Sequence, residues 1–201
     1  MTTSFDYLKI LASKVTDELI VIWGPLVANE WHELNDTEGT LYDVYMSGAA
    51  PFALGMAMGL PRRRVICLDG DGSMLMDLPI LPAIAYQNPS NLIVIVFDNM
   101  AYEACAKIPT FTAHTADLAK IAQGAGIENA WSVKAVSEFE EALAAAYRVR
   151  GTSFINLKVE FSTRRSPPRA ADCTENKYRF IRHIEKTEKI RIIHPLGVSL
   201  K

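Results

Sequence analysis

Two short stretches of this chain end in residues suited to holding a hard cation and a phosphate. An apolar run at residues 65–68 stops at Asp69-Gly70-Asp71-Gly72-Ser73, and a second, at residues 92–97, stops at Asp98-Asn99. Asp71 and Asn99 both offer oxygen atoms. Mg²⁺ takes such ligands in octahedral geometry and commonly bridges a protein carboxylate to a phosphate. Gly70 and Gly72 let the backbone turn sharply and approach a ligand. The amides of Gly72 and Ser73 would open the next helix, a position that suits a phosphate. The pattern points to a magnesium–diphosphate site.

Such a site needs two loops at one edge of a sheet. Both apolar runs are short, rich in Val and Ile, and followed at once by small or acidic residues, as buried parallel strands are. Residues 74–86 between them have the length of a crossover helix. Asp71 and Asn99 then share the carboxyl edge of one sheet, where open α/β sheets bind ligands. The rest of the chain continues the alternation. Helices are predicted over 5–15, 26–34, 52–60, 115–124 and 137–150, the last with Ser137 as cap and Glu140 three residues on. Strands are predicted over 19–23, 40–46, 131–134 and 154–159. Glu30, His32 and Glu33 read as a solvated helix face in preference to metal ligands. The fold class is therefore α/β, a three-layer α/β/α sandwich with a mainly parallel sheet. Arg62-Arg63-Arg64 falls at the opposite end of the central strand from the loops. From residue 162 the composition changes: Arg164, Arg165, Pro167-Pro168 and Arg169 suggest an exposed linker, followed by a helix over 176–189 and a strand over 190–193. The chain divides into 1–161 and an appendage, 162–201.

Other classes fit less well. In a dinucleotide-binding loop Gly70-x-Gly72 would continue to a third Gly or Ala at position 75, where Leu75 stands. No Walker-type Gly-Lys-Ser occurs. A net charge of −2, with 49% hydrophobic and 22% charged residues, gives no reason to expect nucleic acid or a membrane. No apolar run has transmembrane length, and no secretory signal opens the sequence. Cys67, Cys105 and Cys173 are scattered and odd in number, which suggests reduced thiols in the cytoplasm.

Gly70-Asp71-Gly72, with Asn99 28 positions after Asp71, resembles the cofactor motif of the thiamine-diphosphate (ThDP) dependent enzymes. The resemblance covers residues 46–159 and implies the diphosphate-binding (PP) type of the ThDP-binding fold. It implies Asp71, Asn99 and the main-chain carbonyl of Ala101 as Mg²⁺ ligands, with the metal bridging to the cofactor's diphosphate. Phe52-Ala53-Leu54-x-x-Ala57-x-Gly59 is similar to the helix before the Gly-Asp-Gly strand in that family. Cofactor contacts carried over are Gly48, Ala49, Ala50, Gly70, Asp71, Gly72, Ser73, Asn99, Ala101 and Tyr102. Many members prop the cofactor with a bulky apolar residue. Here Ala50, followed by Pro51, stands in the aligned position, with Met46 nearby. Asp98-Asn99-x-x-Tyr102-Glu103 and Pro109-Thr110 resemble the β subunits of sulfopyruvate decarboxylase and the matching part of phosphonopyruvate decarboxylase. Where those carry Thr-Gly-Gly-Gln, this chain has Cys105-Ala106-Lys107-Ile108. Lys107 is then either a contact for an acidic group of the substrate or a solvent-facing lysine.

ThDP enzymes also need a PYR domain, which supplies an activating Glu. The motifs here belong to the PP domain alone, and no motif supports Glu30, Glu38 or Glu103 in that role. The resemblance thus implies the β subunit of a heteromeric, ThDP- and Mg²⁺-dependent 2-oxoacid decarboxylase. Its active site would be shared with a PYR-domain α subunit, and its substrate would be a small 2-oxoacid. Two alternatives stand beside it: a ThDP-dependent carboligase or carbon–carbon lyase subunit, and a non-catalytic cofactor-binding or regulatory subunit.

Overall fold

A computed structural model describes residues 2–161, 164–169 and 172–193. In chain order the elements are α1 (Ser4–Lys14), β1 (Leu19–Ile22), α2 (Pro25–Asn35), β2 (Thr40–Leu41), α3 (Ala49–Gly59) and β3 (Val65–Gly70). Next come α4 (Asp71–Met76), α5 (Ile80–Gln87), β4 (Leu92–Asp98), and the short antiparallel pair β5 (Ala101–Tyr102) and β6 (Ile108–Pro109). The chain continues with α6 (Leu118–Gly124), β7 (Asn129–Val133), α7 (Val136–Ala146), β8 (Ser153–Lys158) and α8 (Cys173–Glu188).

The main sheet has the order β2-β1-β3-β4-β8-β7, and every neighbouring pair in it is parallel. Side chains alternate across each strand, so one sheet builds two cores. On one face Leu19, Val21, Val65, Cys67, Val94 and Phe154 pack against α3, α5, α6 and α8. On the other, Ile20, Ile66, Leu68, Ile95 and Ile155 pack against α1, α2 and α7. This is the three-layer arrangement that the alternation of elements predicts.

Several boundaries differ from those predicted, each for a local reason. The expected helix over 74–86 is two helices, α4 and α5, broken at residues 77–79. Pro79 lacks an N–H and restricts the residue before it, so the first helix ends and a second starts. Ser137 does not cap α7. The helix starts one residue earlier, and the Glu138 carboxylate accepts the Lys134 amide at 2.7 Å. Asp117 caps α6 by accepting from the Lys120 amide. Asp172 caps α8 through the Thr174 and Glu175 amides.

The predicted strand over 40–46 shrinks to two residues because Asp43 turns into left-handed backbone at φ 52°, and its free edge is taken by a side chain. Asn176 of α8 accepts from the Tyr42 amide at 2.9 Å and donates to the Thr40 carbonyl at 3.1 Å. An edge that would otherwise recruit another strand is thereby closed. No strand forms over 190–193; the Ile192 and Ile193 amides donate instead to Glu185. Of the appendage, 162–163, 170–171 and 194–201 lie outside the described residues. The rest is held to the body. Arg164 pairs with Glu33 and lies over the Phe5 ring, Arg169 pairs with Asp43 and lies over the Tyr42 ring, and Phe180 and Ile184 enter the core.

Candidate functional site

The strand order places the site. From β1 the chain moves outward to β2, and from β3 it moves the other way to β4, so the crevice between the carboxyl ends of β1 and β3 is a topological switch point. A cavity of about 360 Å³ opens there. Trp23, Pro25, Leu26 and Val27 line it from the β1 side, and Gly70, Asp71, Gly72 and Ser73 from the β3 side. Asn99, Ala101, Tyr102 and Glu103 line it from beyond β4.

The register brings the acidic groups together. Gly70 pairs with Phe97, which sets Asp71 beside Asp98 at the next step, and Asp98 pairs with Lys158 of β8. Asp71 opens α4 and is buried. Its Oδ2 takes the hydroxyls of Thr110 at 2.6 Å and Thr112 at 3.1 Å. Asp98 is fully buried and accepts from Thr112, Asn156 and the Met100 amide, and it forms an ion pair with Lys158. Asn99 is fixed at both ends of its amide: Oδ1 accepts from the Ala101 amide at 3.1 Å, and Nδ2 donates to Glu103 at 2.9 Å.

The hairpin of β5 and β6 presents the third oxygen. The Thr110 amide donates to the Met100 carbonyl, the bond that flanks a non-hydrogen-bonded pair, here Ala101 opposite Pro109. In such a pair neither residue turns its polar groups across the hairpin. That suits a proline, and it leaves the Ala101 carbonyl turned away from β6. Asp71, Asn99 and Ala101 thus meet on one cavity wall.

The charge balance of this wall suits a cation. Asp69, Asp71 and Asp98 are each at most 2% exposed, against one lysine in contact, Lys158. Burial pushes Asp71 up to about 6, helped by the nearby Asp98 charge and opposed by the two threonine hydroxyls. Burial also pushes Asp69 up to about 7, against the Ser73 hydroxyl and the Gly70 amide. A divalent cation beside Asp71 would offset this burial of negative charge, and the three oxygen donors match Mg²⁺. Among the described residues no group of three His, Cys, Asp or Glu side chains could hold a metal. The set here needs only one carboxylate.

The other residues singled out in the sequence divide. Gly70, Gly72, Ser73 and Tyr102 stand on the wall. Gly72 is required there, because a Cβ would meet the Tyr102 ring at 2.5 Å. Ser73 accepts from the Ser47 amide at 2.8 Å, which ties the loop before α3 to α4. Gly48 lies under the Tyr45 ring, with no room for a side chain. Ala49 and Ala50 are buried in the core at the start of α3, away from the wall, whereas Met46 does line the cavity. Lys107 sits at the hairpin tip, outside the wall, with Nζ 5.0 Å from the centre of the Phe161 ring. Glu103 is on the wall, Glu30 is buried against Ser4, and Glu38 pairs with His183. Thr110, Thr112, Asn156 and Lys158 were not legible as site residues. Only the Pro109-Thr110 pair carried a signal, as part of a motif and not as a contact of Asp71.

Comparison with known proteins gives the same picture. Residues 42–157 match the family described as thiamine pyrophosphate enzyme, C-terminal TPP binding domain. The sulfopyruvate decarboxylase subunit beta of Methanococcus maripaludis is 29% identical over 185 residues, 92% of this chain and 98% of that protein. The phosphonopyruvate decarboxylase of Streptomyces viridochromogenes is 29% identical over 152 residues, 75% of this chain but 38% of that protein. Among solved structures, benzoylformate decarboxylase from Polynucleobacter necessarius superposes with a TM-score of 0.67 at 20% identity, over 78% of this chain and 33% of that one. The last similarity is one of fold. No helix of the described residues is long and apolar enough to cross a membrane.

Proposed function

The chain belongs to the thiamine pyrophosphate enzyme family through its C-terminal TPP binding domain, and from that premise we propose that it is the β subunit of a split ThDP-dependent 2-oxoacid decarboxylase of the sulfopyruvate/phosphonopyruvate type. The observation that carries the reading is the meeting of Asp71, Asn99 and the Ala101 carbonyl on one wall of the switch-point cavity. These groups would hold Mg²⁺ and, through it, the cofactor's diphosphate. The bound cofactor supplies a nucleophilic carbon and an electron sink for loss of carbon dioxide from a 2-oxoacid. The residues of this chain bind and orient. The amides of Gly72 and Ser73, in the first turn of α4, face the same loop, and Trp23, Leu26, Val27 and Met46 give the cavity an apolar side that limits water.

The β-subunit name of a relative matched over 98% of its own length supports the split, whereas the phosphonopyruvate decarboxylase is matched over 38%. The activating Glu is then expected from a PYR-domain α subunit. The hairpin at the cavity rim exposes Met100 and Ile108, and Phe111 follows it, an apolar cluster of the kind that marks a contact with another chain. In this reading residues 1–161 are the PP domain and 162–201 an appendage strapped to it. Cys67, Cys105 and Cys173 are free thiols, which fits a cytoplasmic enzyme.

Native mass spectrometry of the protein isolated gently with Mg²⁺ tests the reading. The expected species contains a second chain and the mass of ThDP, and Asp71→Ala loses that mass along with 2-oxoacid decarboxylation. A homomer that does not take up ThDP when supplied with it would overturn the assignment.

A further inference from the structure

Thr110 bonds one proposed cation donor, Asp71, and the residue that precedes another, Ala101. Its hydroxyl donates to Asp71 Oδ2 at 2.6 Å, and its amide donates to the Met100 carbonyl at 3.0 Å, the bond that sets the hairpin presenting Ala101. Both hydroxyls that reach Asp71, from Thr110 and Thr112, approach the same oxygen, which leaves Oδ1 clear of them. Thr112 has one proton and three acceptors within reach, and the nearest is Asp98 Oδ1 at 2.7 Å, against 3.1 Å for Asp71. Thr112 also lies 2.8 Å from the Thr110 hydroxyl. Asp98 is anchored in turn by Asn156 and Lys158 of β8. Thr110 therefore gives its one proton to Asp71 and Thr112 gives its own to Asp98, and the two buried hydroxyls pack against each other between these anchors. Both threonines are at most 6% exposed, so water does not compete for these bonds.

We propose that Thr110, braced by Thr112 and Asp98, is a positioning residue of the cation site: it clamps Oδ2 of Asp71 so that Oδ1 is offered to Mg²⁺, and it ties that carboxylate to the hairpin that carries the Ala101 carbonyl. The proposal rests on the Mg²⁺–ThDP reading above. Thr110 itself does not line the cavity. Partners of this kind fix the orientation of a ligating carboxylate, and their loss costs metal affinity more than it costs fold.

The test uses the full chain with its co-purified partner, stripped of metal and given excess ThDP. Mg²⁺ is titrated, and ThDP retained after desalting is measured. Wild type should show saturable, Mg²⁺-dependent retention; if retention needs no Mg²⁺, the functional reading itself fails. With wild type behaving as expected, Thr110→Val should raise the Mg²⁺ concentration at half-retention about tenfold. Thr110→Ser, which keeps the hydroxyl, should stay within about twofold of wild type. A Thr110→Val protein with a lower metal-free melting point but unchanged half-retention would overturn the positioning role and leave the reading intact. If Thr110→Val does not fold, Thr112→Val decides: a shift of about threefold or more supports the brace, and no shift refutes it.

Discussion

The two ends of the sheet treat buried polar groups in opposite ways. At the amino ends Glu18, Asn91 and Arg64 are matched by donors or acceptors of the fold, and the one buried group there without a partner among the described strand residues, the Ser153 hydroxyl, is uncharged. Glu18, before β1, accepts the Thr16 and Asp17 amides and the Tyr147 hydroxyl. Asn91, before β4, reaches the carbonyls of Ala57, Leu60 and Arg63 and so closes the end of α3. Arg64 lies over the Tyr147 ring and reaches the last carbonyls of α7. At the carboxyl ends Asp69, Asp71 and Asp98 are all buried, and among them only Asp98 is paired with a lysine, Lys158. Burial pushes the carboxyl of Glu18 up, as it does that of Asp71, yet the Glu18 hydrogen bonds win and its net shift is downward. The same burial thus gives a settled charge at one end and an unsettled one at the other. Excess buried charge at one edge of a sheet marks where a ligand completes the structure.

The largest effect expected from that contrast is at Asn91. Removing its side chain in Asn91→Ala leaves buried carbonyls at the end of α3 unsatisfied and should cost about 2–4 kcal/mol. That corresponds to a fall of roughly 10 °C in melting point for a chain of this size. The Mg²⁺ concentration for half-retention of ThDP should not change. A shift in that concentration without a fall in stability would break the division between the two ends.

Asp71→Asn should act with the opposite sign on the metal-free protein. The Asp71 carboxyl has an ordinary value of 3.8 and is pushed to about 6, so the folded state holds a proton that the unfolded state has released. Its contribution is fully present below pH 3.8 and is lost as pH rises through about 6. Asp69 behaves likewise through about 7. Metal-free stability should therefore decline as pH rises from about 4 to 7, and Asp71→Asn should reduce that decline and gain on the order of 1–3 kcal/mol at pH 8. Glu18, lowered from 4.5, contributes above that value and loses its contribution only as pH falls through its folded value. Denaturation across pH, with and without Mg²⁺–ThDP, checks both limbs. Bound cofactor should flatten the upper limb in wild type and leave the variant unaffected. A metal-free variant less stable than wild type at pH 8 would show that the Asp71 charge is already settled by its threonines.

What could be read from sequence follows the range of the interactions involved. The strands β3 and β4 announce themselves because each is an unbroken apolar run that ends in small or acidic residues. Asp71 and Asn99 follow from those ends, and register alone then sets Asp71 beside Asp98. The break between α4 and α5 was legible at Pro79, and reading residues 74–86 by length alone missed it. Thr110 and Thr112 were out of reach for a different reason. They contact Asp71 across 39 and 41 residues, and only the fold-back of the β5–β6 hairpin brings them there. The closing of the β2 edge is equally non-local, since Asn176 reaches it from 134 residues away. Local pattern fixes where strands end; the partners that tune a carboxylate come from the tertiary fold.

The smallest effect is expected at the hairpin tip, where the contrast between the two ends can be sharpened. Ala106 and Lys107 both adopt left-handed backbone, at φ 68° and 56°, and turn the Lys107 side chain onto Phe161. That contact is exposed and worth about 0.5–1 kcal/mol. Lys107→Gln should therefore lower the melting point by about 1–3 °C and leave the Mg²⁺ dependence of ThDP retention as it was. In steady-state assays with acidic 2-oxoacids, KM should change by less than about threefold, because the ammonium group lies beyond the cavity wall and would act only through a screened field. A rise in KM of tenfold or more, with kcat and cofactor retention unchanged, would show that the tip folds over the cavity when substrate binds. Lys107 would then supply a positive charge at the open end of the site.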